Sequence, residues 1–178
     1  MDNFREEIIV RKTGKVLFSI IYILTLIFMV VSGIIAMLFL MPILNAQFDV
    51  FGVVGLVVSG LVTFLLWRNK DTMRTEYEYT FTNGEMDFAK VMGNSRRKHL
   101  LTLQVKTVEQ GGPVESDAYK RLSSGPNVKK TDLTINGNAD QYFLYYSRDG
   151  VRNLILLEAS AEMVRLMRLY NRNLVAVE

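Results

Sequence analysis

The sequence predicts an α+β protein: an N-terminal two-helix transmembrane hairpin, followed by a small antiparallel β-barrel or sandwich capped by one C-terminal helix. Three observations predict it. Val16 to Trp67 holds two long apolar runs, VLFSIIYILTLIFMVVSGIIAMLFLMPIL and VFGVVGLVVSGLVTFLLW, and Asp49 is the only charged side chain in the whole stretch. After Trp67 the chain changes to short alternating segments punctuated by Asn83-Gly84, Gly93-Asn94 and Asp149-Gly150. The strands come first and a single amphipathic helix comes last, which is the order of an α+β domain.

The apolar runs are taken first because they set the location. A bilayer crossing needs about 20 apolar residues, and an aqueous domain gains nothing from two such runs placed back to back. The spans are read as 16–41 and 50–67. Pro42 marks the end of the first, since proline lacks an amide donor and restricts the residue before it. A secretory signal peptide has an apolar part of about 7 to 15 residues. The first run is far longer and a second follows at once, so an uncleaved anchor is expected. Arg5, Arg11, Lys12 and Lys15 precede the spans and Arg68, Lys70 and Arg74 follow them, whereas Asn45 to Asp49 carries no basic residue. The positive-inside rule therefore predicts both termini in the cytoplasm. Trp67 suits an interfacial anchor. No Asp, Glu, Lys, Arg or His lies within either span, so a proton relay or ion pathway has no side chains to run on.

Within the spans, small residues recur at helical spacing. Ser32 and Ala36 are four apart in the first, as are Gly55 and Ser59 in the second. A turn between Asn45 and Ala46 brings Ala36 opposite Gly55 and Ser32 opposite Ser59, the close approach through small residues by which membrane helices pack.

Three regions follow: a cytoplasmic segment 1–15, the hairpin 16–67, and a cytoplasmic domain 75–178. Residues 2–15 carry Phe4, Ile8 and Ile9 among charges and read either as a short interfacial amphipathic helix or as a polar tail. Glu76 to Thr82 alternates strictly, with Tyr77, Tyr79 and Phe81 on one face. Asn83-Gly84 then tolerates the positive φ angles of a type I′ turn and places Phe81 against Met86 and Tyr79 against Phe88. Leu101, Leu103 and Val105 alternate in a third strand, entered through Arg96 to His99. Residues 110–127 read as an insertion, with a helical turn possible across Asp117 to Leu122. Leu133 and Ile135 suggest a strand, and QYFLYYS, Asp149-Gly150 and VRNLILLE make a second tight hairpin. Ser160 caps a helix with a stripe of Met163, Met167, Tyr170 and Leu174, and with Arg165, Arg168 and Arg172 largely opposite.

YEYTFTNGEMDFAKVMGNSRRKHLLTLQVKTVE and YFLYYSRDGVRNLILLEASAEMVRLMRLY, together spanning about Thr75 to Arg172, resemble the bacterial pleckstrin-homology-like membrane proteins of the YcxB-like group, and within it an uncharacterised two-pass family. The resemblance implies a partly open barrel of two roughly orthogonal sheets, a helix plugging one end, an adaptor role and a bacterial inner-membrane location. It brings no catalytic residues. The insertion at 110–127 departs from the simplest pattern.

Composition narrows the chemistry. With no cysteine and only His99 among 178 residues, thiolate chemistry and multi-histidine metal sites are excluded, and no cofactor or metal is expected. The part after Trp67 has 17 basic and 14 acidic residues, too slight an excess for a nucleic-acid surface. Neither a phosphate-cradling loop nor a nucleophile elbow is present, so an enzyme is the least supported class. The densest basic cluster is Arg96-Arg97-Lys98-His99, with Lys90 upstream. Lys90, Arg96, Arg97 and Lys98 are the candidate contacts to anionic lipid, each worth about 1 kcal/mol beside a negative leaflet; the plainer reading is a solvated strand end. The primary expectation is a non-catalytic protein-binding or scaffolding module at the membrane, with membrane lipids, an unidentified protein and a second copy as candidate partners. Lipid sensing through the basic hairpin is the alternative.

Overall fold

The computed structural model describes residues 3–12, 14–46, 49–93, 96–137 and 139–175. The chain divides into two compact units, one of residues 1–13, 76–91 and 95–178 and the other of residues 14–75 and 92–94.

In the second of these, the apolar runs form α1 (Lys15–Leu44) and α2 (Val50–Asn69), with a 3-10 turn over Lys70–Arg74. Both helices are long and apolar enough to cross a membrane, by length and composition. The 20 residues of α2 extend about 30 Å, the thickness of a hydrocarbon core, and the 30 residues of α1 about 45 Å. Contrary to expectation, α1 does not stop before Pro42 but carries it within its last turn. Its missing N–H forfeits one helical bond, the one to Leu38 O, and the helix closes its last turn beyond it through Asn45 N–H onto Met41 O at 3.2 Å. Asp49 has a structural use: its carboxylate accepts the Gly52 N–H at 3.3 Å and caps α2.

The other unit begins before the hairpin. Neither an interfacial helix nor a tail, Phe4–Ile9 is β1, antiparallel to β2 (Thr75–Thr82) from Phe4 opposite Thr82 to Ile9 opposite Tyr77. Alternation sets Arg5, Glu7 and Ile9 on the side of Phe81, Tyr79 and Tyr77, and leaves Phe4, Glu6 and Ile8 on the other. The two apolar helices are thus inserted between neighbouring strands of one sheet, and residues before the hairpin join those from 75 onward. β3 (Glu85–Met92) follows the Asn83-Gly84 turn, whose φ angles of 48° and 92° are those of the expected type I′ geometry, and β4 (Arg96–Gln104) completes the order β1-β2-β3-β4. Tyr79, Phe81, Met86 and Phe88 are fully buried, with the Tyr79 and Phe88 rings edge to face at 5.5 Å. Burying each such side chain is worth about 1.5–3 kcal/mol.

The second sheet has the order β5-β7-β8-β6. The expected insertion is only partly one. Gln110 to Pro113 belong to β5 (Val108–Pro113), and the rest carries α3 (Asp117–Ser123), capped by Ser116 accepting from Tyr119 N–H at 3.3 Å. The strand expected around Leu133 lies earlier, as β6 (Val128–Asp132), and it pairs with β8 in parallel rather than antiparallel. With α3 between them, the chain passes from β5 at one edge to β6 at the other and arrives running with β8. β7 (Tyr142–Arg148) and β8 (Val151–Leu157) form the expected hairpin about Asp149-Gly150, with Tyr142 opposite Leu157 and Arg148 opposite Val151. Tyr142, Leu144 and Tyr146 join the main core, while Phe143, Tyr145 and Leu154 pack with Tyr119 and Leu122 of the α3 segment. A sheet covered on both sides explains strands apolar on both faces.

α4 (Ala161–Tyr170) is capped by Ser160 Oγ accepting from Met163 N–H at 3.2 Å, and it buries Met163, Val164 and Met167. Leu174 is not on its stripe: the chain leaves the helix at Asn171, and Leu174 instead reaches a bridge to Gly111. The two sheets remain separate, so the architecture is an open sandwich rather than a closed barrel.

Candidate functional site

Where β8 gives way to α4 lies a buried carboxylate. Glu158, 8% exposed, accepts hydrogen bonds from Ile135 N–H at 2.5 Å, Asn136 N–H at 2.6 Å and Asn136 Nδ2 at 2.8 Å. Asn136 in turn donates to Val10 O at 3.0 Å and accepts Lys12 N–H at 2.7 Å. The Tyr79 hydroxyl donates to Leu133 O at 2.8 Å and receives Glu158 N–H at 3.4 Å. One node therefore joins the residues after β1, the loop after β6 and the exit of β8.

Beside the node an open cleft of about 410 Å³ runs along β1, lined by Arg5, Glu7, Ile8, Lys12, Asp140 and Ser160 among others. Two of its charges, Arg5 and Glu7, are turned onto one another and onto α4. Glu7 accepts from Ser160 N–H at 3.1 Å and from the Ser160 hydroxyl, while Arg5 donates to Glu7 at 3.1 Å and to Glu162. Asn3 Nδ2 donates to the Tyr170 hydroxyl at 3.0 Å, so α4 is tied to the N-terminal strand at both ends.

The basic cluster lies at the start of β4. Thr80, Asp87, Ala89, Arg97 and His99 border a second open depression of about 360 Å³. Arg97 donates to Glu78 Oε1 at 2.6 Å, Thr102 donates to Asp87, and His99 Nε2 stands 3.3 Å from Thr102 Oγ1. Burial, together with Glu6, pushes the Glu78 carboxyl above its ordinary range and Arg97 pulls it back. Arg96 and Lys98 are exposed and form no salt bridge among the described residues. Lys90 is half-buried and by strand alternation faces away from Asp87 and Ala89, so it is not brought together with Arg97.

Residues 1–177 match the family described as a bacterial PH-like domain, DUF6106. The chain belongs to this family. No curated protein and no solved structure matches it. The match runs through the N-terminal strand and both apolar helices, so in the bacterial PH-like family these are continuous with the sheets and the C-terminal helix.

The helical pair of this family member holds the small residues singled out above. Ser32 Oγ donates to Ser59 O at 2.9 Å and receives the Thr63 hydroxyl at 3.0 Å; Ser32 and Ser59 are the buried residues of α1 and α2. Gly55 faces Phe39, whose ring would lie 2.7 Å from an added Cβ, and Ala36 is half-buried. Sequence reasoning missed Glu158, Asn136 and the role of Glu7. The one available signal was a charged residue closing the apolar run LILLE.

Proposed function

We propose that the chain is a non-catalytic binding module anchored in the bacterial inner membrane, its PH-like unit serving in the cytoplasm as a scaffolding surface for a protein partner. The observation that carries this reading is the pairing of β1 with β2 on either side of the apolar helices. Strands exchanging backbone hydrogen bonds share a compartment, so the pairing supports a hairpin with both flanks on one side of the bilayer, and their seven Lys and Arg residues favour the cytoplasmic side. Confinement to the membrane plane raises the effective concentration toward membrane-bound partners. The carboxylates of Glu7, Asp87 and Glu158 all accept hydrogen bonds from protein donors, which suits structure and recognition better than proton transfer. Chemical crosslinking of the full chain in native membranes tests the reading: a reproducible protein partner is expected, and none across replicates overturns it.

Lipid contact through Arg96 and Lys98 is the second reading, supported by their exposure and weakened by the commitment of Arg97 to Glu78. It predicts slower tryptic cleavage at residues 96–98 in nanodiscs of anionic than of zwitterionic lipid. Equal cleavage removes it.

A further inference from the structure

The outward side of α4 gathers cations that form no salt bridge among the described residues. Arg165 and Arg168 are three apart and Leu169 is four from Arg165, so the three share one side of the helix, away from the buried Met163, Val164 and Met167. Arg172 lies just past the helix end. Next to it, Asn171 donates to Val105 O at 2.8 Å and Val108 O at 2.7 Å, and this clamp fixes Lys106, between the two acceptors, beside the helix terminus. All four cations are exposed and none joins a salt bridge among the described residues, while the acid of the first turn, Glu162, is occupied by Arg5. In their midst Leu169 is 67% exposed.

Favourable interaction with the helix dipole accounts for cations in the last turn, but Arg165 stands in the middle of α4. Three of the four are arginines, whose planar guanidinium meets a carboxylate through two parallel hydrogen bonds. Arginine around an apolar centre is also the composition that protein interfaces favour, whereas lysine is depleted there. Like charge opposes a second copy docking through the same face.

We propose that this face, Arg165, Arg168 and Leu169 rimmed by Arg172 and Lys106, docks an acidic segment of a protein partner. Carboxylates meet the guanidinium groups around an apolar side chain seated on Leu169. The proposal rests on the binding-module reading above and names its surface and the chemistry of its partner.

The test replaces Leu169 with a photo-crosslinking amino acid in the full chain, in native membranes, and maps the adduct by mass spectrometry. The expected result is a protein adduct on a peptide of net negative charge. Its yield should fall at least about tenfold with Arg165→Glu plus Arg172→Glu and decline with added salt. Arg165→Lys plus Arg172→Lys keeps the charge and should keep most of the yield; if the glutamate pair fails to fold, this pair and the salt series decide. An adduct on lipid, on a neutral or basic peptide, or indifferent to salt overturns the proposal. A second probe at Ile8 separates the two readings. Protein adducts at position 8 and none at 169 discard this surface but leave the module reading standing, and none at either position discards both.

Discussion

Glu158 is where distant parts of the chain meet, and its cost explains its surroundings. A buried carboxylate persists only when its lone pairs are met, and three N–H donors from Ile135 and Asn136 meet it here. Removing it leaves those donors without an acceptor. Glu158→Ala should therefore lower stability by about 2–4 kcal/mol, and Glu158→Gln, which keeps an acceptor and the shape, by about half as much. Denaturant titration of the full chain in detergent measures both. Tyrosines set the alkaline limit. Burial pushes the phenols of Tyr79 and Tyr142 well above their ordinary value. A folded-state pKa above the unfolded one, about 10, means that the native state holds more protons above that pH. The contribution of these two tyrosines should then be flat below pH 10 and be lost as pH rises beyond it. In a phenolate absorbance titration these two rings should ionise only as the domain unfolds, and ionisation before unfolding would contradict their burial. Of this network the sequence showed only that Tyr79 faces inward. Its partner Leu133 O lies 54 positions away, and no local pattern reports such a bond.

At the scale of elements, legibility followed locality. Both tight hairpins were readable because Asn83-Gly84 and Asp149-Gly150 state their own turn geometry. Phe4–Ile9 was not readable. Apolar residues at 4, 8 and 9 fit one helix face as well as strand alternation, and the choice is made by β2, which arrives only after the two apolar helices. β6 misled for a related reason: Leu133 is buried, as its apolarity suggested, but in the stretch after the strand. Two glycines make a controlled comparison of turn strain with crowding. At Gly84, φ is 92° and an added Cβ would stand 2.6 Å from the Tyr170 ring; at Gly150, φ is 76° with nothing within 4 Å. Gly150→Ala should cost about 1–2 kcal/mol of backbone strain alone. Gly84→Ala should cost more than that, since the Tyr170 ring must also move, and equal losses in thermal melts would mean that it yields freely. In the helical pair, Ser32→Ala removes a donor to Ser59 O and should cost about 0.6 kcal/mol, the usual size of such a bond between membrane helices. Ser32→Leu should cost more by forcing the helices apart, read as lost helix–helix crosslinking.

Over the whole molecule, composition revealed two helices long and apolar enough to cross a membrane and the α+β class, but not how the two parts of the chain are joined. Strand pairing between residues 4 and 82 is non-local, and a hydrophobic run says where a chain goes without saying which strands it separates. Insertion between β1 and β2 makes sheet completion conditional on the hairpin: residues 4–9 reach β2 only if the chain returns to the side it left. On the anchored-module reading, folding of the PH-like unit and correct topology become one event, and a hairpin inserted with its flanks apart would leave β2 as a bare edge exposed to wrong pairing. The absence of cysteine makes this directly testable, because every introduced thiol is unique. Phe4 and Thr82 are directly opposed, and side chains so placed have Cβ atoms about 4.5–5.5 Å apart. In membranes, Phe4→Cys with Thr82→Cys should join under a short bifunctional maleimide, and Ile8→Cys with Thr82→Cys, four positions out of register along β1, should not. The expected readout is a mobility shift retained after solubilisation. If the first pair stays unjoined while an impermeant reagent labels position 4 from one side and position 82 from the other, the two flanks do not share a compartment and the anchored-module reading fails with them.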